Sequence, residues 1–171
     1  MLLKIVQAGD PVLREPARPL APADLAKAEM QHLIELMRET MRDAPGVGLA
    51  APQVGVPLQL AVIEDIGESE AQERKPIPFH VLVNPRLTLG ADTVEHYEGC
   101  LSVDGFSASV VRAREVTVEA LDHTGAPVAI HATGWYARIL QHEIDHLNGT
   151  LYIDRMNTRT FSSARNMGRG R

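Results

Sequence analysis

Apolar residues recur along residues 24–43 at Met30, Leu33, Ile34, Met37 and Met41. That three-and-four spacing is one face of a helix. Asp24 stands where an N-cap is wanted, and Pro45 with Gly46 closes the segment. The pattern then changes. LQLAVIEDI and HVLVNPRL are short apolar runs that predict buried strands, and the polar, proline-containing GESEAQERKPIP between them predicts a surface loop. REVTVEALD alternates apolar and polar positions, HTGAP makes a turn, and VAIHA returns, which together predict a hairpin. GVGLAAPQVGVP is small, glycine-rich and without a strong period. Residues 135–148 go back to helical spacing and end at Gly149. No repeat or linker interrupts the chain. These elements predict an α+β fold over residues 1–171 as a single domain, with mostly antiparallel sheets around a central helix and a second helix near the N-terminus.

The helix at 135–148 is apolar on more than one side. Trp135, Ile139, His142 and His146 share one face, and Leu140, Ile144 and Leu147 form another stripe. Such a helix belongs inside the protein, and two histidines there are costly unless bonded. Core histidines satisfied by backbone carbonyls are one reading. The other is a metal pair. One turn rises about 5.4 Å, so both imidazoles of the stretch QHEIDH can converge on one ion at about 2.0–2.1 Å. Glu143 is rotated about 100° from His142 and flanks that ion, the layout in which a glutamate acts as general base.

A catalytic divalent ion usually takes three protein ligands. Downstream, LNGTLYIDRM offers no His or Glu and a single acid, Asp154. The third ligand is therefore sought upstream, among His32, His80, His96, His123, His131, Glu98 and Cys100. Cys100 stands out because it sits in EGCLS at an apparent strand end. A thiolate ligand, a nucleophile with a histidine base and a small buried hydrophobe are its three readings.

Composition narrows the function classes. At 171 residues, 44% hydrophobic and 23% charged, the chain has ordinary globular usage for one core. A net charge of -5 gives no ground for specific DNA binding. No run reaches membrane-spanning length, the start lacks the pattern of a signal peptide, and the lone cysteine can form no intrachain disulfide. A cytoplasmic location without membrane association is the expectation. Residues 155–171 hold five arginines and no acid. They read either as a disordered solvated end or as a contact for ribosomal RNA.

Three separated motifs, GVGLAAPQ at 46–53, EGCLS at 98–102 and QHEIDH at 141–146, resemble those of the peptide deformylases. The likeness runs from DPVLREPA to LYIDRM. It implies removal of the N-formyl group from the initiator methionine of formyl-methionyl peptides, with release of formate. It also implies Cys100, His142 and His146 as ligands of a divalent metal, iron(II) first, with zinc, nickel or cobalt as alternatives. Glu143 would be the base, and the Gln53 amide and Leu101 N–H the oxyanion donors. Gly46, Gly48 and Gly99 would let backbone approach substrate, and Val47 with Gly48 would pair with the peptide as an added strand. Ile139 and Trp135 are candidates for the methionine pocket. Arg112 falls where the family carries an arginine able to pair with Glu98. Two departures bear on the peptide. Asp104 stands where proline is common, and no arginine lies near Ser107. A metallopeptidase or other amidase using the same residues is the alternative enzyme. A metal-stabilised binding module would have no use for Glu143 or Gln53.

Overall fold

The computed structural model describes residues 1–167. Two helices come first, the short α1 (Pro22–Leu25) and the sixteen-residue α2 (Ala28–Asp43). Strands β1 (Gly48–Ala50), β2 (Leu60–Asp65) and β3 (Ile77–Leu89) follow. Next come β4 (Thr93–Cys100), β5 (Val103–Ala113), β6 (Glu115–Leu121) and β7 (Pro127–Thr133). The chain closes with α3 (Gly134–Leu147) and β8 (Ser162–Ser163). One sheet has the order β1-β2-β3-β6-β7 and the other β4-β5-β8, and every strand pair in both is antiparallel.

Strand alternation explains the layers. Leu60, Val62, Val81 and Val83 point to one face of the five-stranded sheet and pack with Ile34, Met37 and Met41 of α2. Ile63 and Leu82, one position out of phase, point to the other face and pack with Ala137, Leu140 and Ile144 of α3. Both faces of β2 and β3 are therefore covered, which is why these strands read as continuous apolar runs. The far side of α3 meets the second sheet, where Arg138 Nη2 donates to the Tyr97 carbonyl at 3.0 Å. The helix that carries the histidines lies between two sheets, with Leu140 and Leu147 wholly buried.

Two expectations change. The helix expected over 24–43 with an Asp24 N-cap is two helices. Pro22 starts α1 at its first turn, Lys27 occupies the N-cap position of α2, and Asp24 is engaged by the Lys27 ammonium at 2.6 Å. HVLVNPRL extends to a thirteen-residue strand, because Asn84 at φ 50° and a register shift between Val83 and Arg86 carry it past Pro85. The β4–β5 hairpin has no strong period in sequence. The basic segment is described over 155–167. Arg155 forks onto Asp145 at 2.8 and 2.9 Å, Asn157 N donates to Ser109 O, and β8 pairs with Phe106 and Ser107 of β5. The remaining four residues lie outside the described part. No helix among the described residues is long and apolar enough to cross a membrane.

Candidate active site

Cys100 ends β4 at a tight turn into β5, and the N-terminal strap braces that turn. Gln7 Nε2 donates to Leu101 O at 2.9 Å, Ala8 N to Ser102 O at 2.7 Å, and Asp104 N to Gln7 Oε1 at 3.1 Å. The departure at Asp104 thus leaves the turn tied through its backbone. Ser107 is buried beneath β8, opposite Ser162. Against the turn lie His142 and His146, with ring centroids 5.0 Å apart. Cys100 Sγ is 3.3 Å from His146 Nε2, and ligand atoms of Cys100, His142 and His146 all lie within 4.8 Å of one another. No other such group occurs among the described residues. Of the remaining candidates, His80 is engaged by Tyr136 and His131 by Glu115.

Glu98, also a candidate ligand, plays a different part. Its Oε1 is 3.0 Å from His142 Nδ1, so Nδ1 donates to it and Nε2 is the nitrogen left for an ion. Arg112 forks onto the same carboxylate at 2.8 and 2.9 Å and reaches Asp145 with its other nitrogen at 2.6 Å. Burial alone would raise the Glu98 carboxyl; Arg112 and His142 outweigh it and hold the group at about 2. Both Glu98 and Arg112 have side chains at most 8% exposed. Arg112→Met should therefore cost about 3–5 kcal/mol of stability, because it leaves two buried carboxylates short of their cation. Urea unfolding measures this, and a loss below about 1 kcal/mol would mean the network is not carrying that charge.

The site residues fit a divalent ion. One thiolate and two imidazoles are a donor set for zinc, iron(II), cobalt or nickel. Burial keeps His146 neutral, the ligating state. His142 is also pulled down by burial, but Cys100 and Glu98 outweigh this and raise it, so ion binding has to release a proton there.

Glu143 lies beside these three residues, 3% exposed. Gly48 is required at this spot, since a Cβ there would run into the Glu143 carboxylate. Burial lifts the Glu143 carboxyl to about 7, with His142 opposing it, and Oε2 has no hydrogen-bond partner among the described residues. Gln53 approaches from the other side. Its Oε1 accepts from Ala50 N at 2.9 Å, which fixes the amide orientation. Its Nε2 then faces Ser102 Oγ at 3.2 Å and Cys100 Sγ at 3.6 Å. A cleft of about 320 Å³ opens over this cluster. Val47 and Gly48 form one wall, Gly99 and Leu101 the second, Trp135 and Ile139 the third.

Of the eleven residues given metal, catalytic or peptide-binding roles from sequence alongside Gly46, ten line the cleft, and His146 joins the cluster through Cys100 and His142. Sequence reasoning missed Ser102, Asp145, Arg155 and the strap residue Gln7, none of which carries a local period. It also missed Arg138, which is legible only once Tyr97 and Trp135 are placed beside it.

The chain matches the family model described as polypeptide deformylase over residues 2–162. It is 49% identical to the chloroplastic peptide deformylase 1A of Solanum lycopersicum over 95% of this chain, spanning 62% of that protein's length. It is 50% identical to peptide deformylase 3 of Streptomyces avermitilis, covering 94% of this chain and 74% of that one. A class I type b peptide deformylase from Acinetobacter baumannii, solved with Met-Ala-Ser bound, superposes with a TM-score of 0.86 at 32% identity, covering 91% of this chain and 99% of that one.

Proposed function

The chain belongs to the polypeptide deformylase family, and from that premise we propose that it removes the formyl group from the N-terminal methionine of nascent peptides and releases formate. The observation that carries the proposal is the meeting of Cys100, His142, His146, Glu143 and Gln53, from three separate stretches of chain, at one cleft. The peptide bound in the Acinetobacter baumannii relative has the chemistry of the product, a methionine with a free amine.

The geometry supports the following roles. Cys100, His142 and His146 would hold a divalent ion, whose Lewis acidity would make a water easier to deprotonate at neutral pH. Iron(II) is our choice among the ions this donor set accommodates. Glu143 takes the proton of the attacking water, and its buried position tunes it for a base that must later act as an acid. As oxygen bonds to the formyl carbon, charge grows on the formyl oxygen. The second N–H of Gln53 Nε2 and the Leu101 N–H donate to it there. When the C–N bond breaks, Glu143 returns its proton to the leaving nitrogen, so the peptide departs as an amine. Val47 and Gly48 hold the peptide backbone as an added strand, Gly99 lets it pass close, and Trp135 and Ile139 wall the methionine pocket.

Anaerobically purified protein should carry about one equivalent of metal and release formate from formyl-Met-Ala-Ser, with turnover lost on chelation and regained with iron(II). Undiminished turnover by metal-free protein would refute the ligand assignment. Equal turnover of acetyl-Met-Ala-Ser would favour a general amidase.

A further inference from the structure

The loop between β2 and β3 is closed by one buried carboxylate. Asp65, at the end of β2, has a side chain 2% exposed. It accepts from Arg74 Nε at 2.8 Å, Arg74 Nη2 at 2.7 Å, Gly67 N at 2.8 Å and Trp135 Nε1 at 2.8 Å. Three of these bonds stay within the loop. The fourth reaches the first turn of α3, where Trp135 forms part of the cleft wall. A Cβ on Gly67 would meet the Arg74 guanidinium, so a larger residue there would have to shift that group on Asp65.

Arg74 does more than pair with Asp65. Its guanidinium also lies on the indole, 4.8 Å from the ring. Arg138 lies on the same side chain at 4.9 Å. Arg138 is 5% exposed, and its Nε and Nη1 have no hydrogen-bond partner among the described residues. Its Nη2 holds the Tyr97 carbonyl of β4, which lines the opposite side of the cleft. The indole is thus fixed by its N–H, its ring and, through Trp135 N to Glu73 O at 3.4 Å, its backbone. Arg138, with the indole as its neighbour, links that fixed ring to β4.

We propose that Asp65 and Arg74 are positioning residues for peptide recognition. They hold Trp135, and through it Arg138, as the preformed wall on which the substrate peptide lies. They act on peptide binding and leave bond cleavage to the residues already described. A wall fixed before binding spares the cost of ordering it afterwards. The inference rests on the deformylase reading of the cleft.

The test uses the metal-loaded full chain and formyl-Met-Ala-Ser. Arg74→Ala should raise KM about fivefold and leave kcat within about twofold. On a Trp135→Ala background, Arg74→Ala should add nothing, because residues that act through one another are not additive. Trp135→Phe removes the N–H and keeps an aromatic wall, so it should raise KM with little loss of stability. It serves if Arg74→Ala folds poorly. Trp135 is the only tryptophan in the chain, so its emission reports the clamp without reference to turnover. Arg74→Ala should shift emission to the red and increase quenching by acrylamide. An unchanged KM in Arg74→Ala and Trp135→Phe, or equal KM effects of Arg74→Ala with and without Trp135, would overturn the proposal. If the unsubstituted protein released no formate, the proposed function would fall instead. The emission of Arg74→Ala would then decide the clamp, and no change in it would overturn the clamp as well.

Discussion

Glu143→Gln is expected to keep its metal and lose about a hundred- to ten-thousandfold in kcat, the range that positioned proton transfer supplies. The substitution is nearly isosteric, so it keeps the fit of this side chain against Gly48. It removes the one property the reaction needs, a carboxylate able to take a proton and give it back. The same change should raise the melting temperature. Glu143 is 3% exposed, with Oε2 lacking a partner among the described residues, so its charged form is costly in the folded protein. A neutral amide lowers that cost, the trade of stability against activity seen where a site holds a strained group. Formate release, metal content and thermal unfolding of one preparation measure all three effects. Near wild-type kcat would remove Glu143 from the role of base. Lost metal would show instead that its carboxylate supports the ligands.

The parts of the fold legible in sequence are those whose burial follows a period. β2 and β3 are apolar on both faces because α2 and α3 cover both. β6 alternates because only one of its faces is covered, as its burial pattern shows. β4 alternates in burial too, but its less exposed positions after Val94 are His96, Glu98 and Cys100, and β5 follows neither rule. In β5, Ser107 and Ser109 are buried, and Ser109 is satisfied by Glu95 Oε1 and Thr160 Oγ1 rather than by apolar packing. A buried serine held this way looks like a surface residue in sequence. The later boundary of α2 has a similar cause, since Asp24 answers Lys27 before it can cap anything.

The site divides along the same line. His142, Glu143 and His146 are legible because one helical turn fixes their relation. Cys100 is legible only by its chemistry, as a lone thiol at a turn. The support around them is not legible. The series Arg155, Asp145, Arg112, Glu98, His142 links five charged or ligating groups through pairs separated by 10, 33, 14 and 44 residues. No period encodes such a series, and only the packing of β5 against α3 brings it together. Asp65, Arg74 and Trp135 are joined in the same way, with Asp65 and Trp135 70 residues apart.

Gln53→Ala should lower kcat by about a hundred- to a thousandfold, or about 2.7–4 kcal/mol of barrier, with KM changed far less. The reasoning starts from the amide's two ends. Oε1 is committed to Ala50 N, so the NH2 group cannot turn away from the cluster. One N–H faces Ser102 Oγ, and an amide nitrogen has two to give. The second points at Cys100 Sγ at 3.6 Å, so it is already aimed at the reacting centre, and an oxygen there can take it over from the sulfur. A donor already aimed where charge will develop contributes to the transition state more than to substrate binding, which is why kcat and not KM should fall. Gln53 is 1% exposed, and its loss also strips Ala50 N of an acceptor, so some stability should go with it, about 1–3 kcal/mol. The two effects separate by measurement. Urea unfolding reads the second, and turnover of fully folded, metal-loaded protein reads the first. A kcat within about threefold of the unsubstituted protein would leave the Leu101 N–H as the sole donor and reduce Gln53 to a brace for the 50–53 turn.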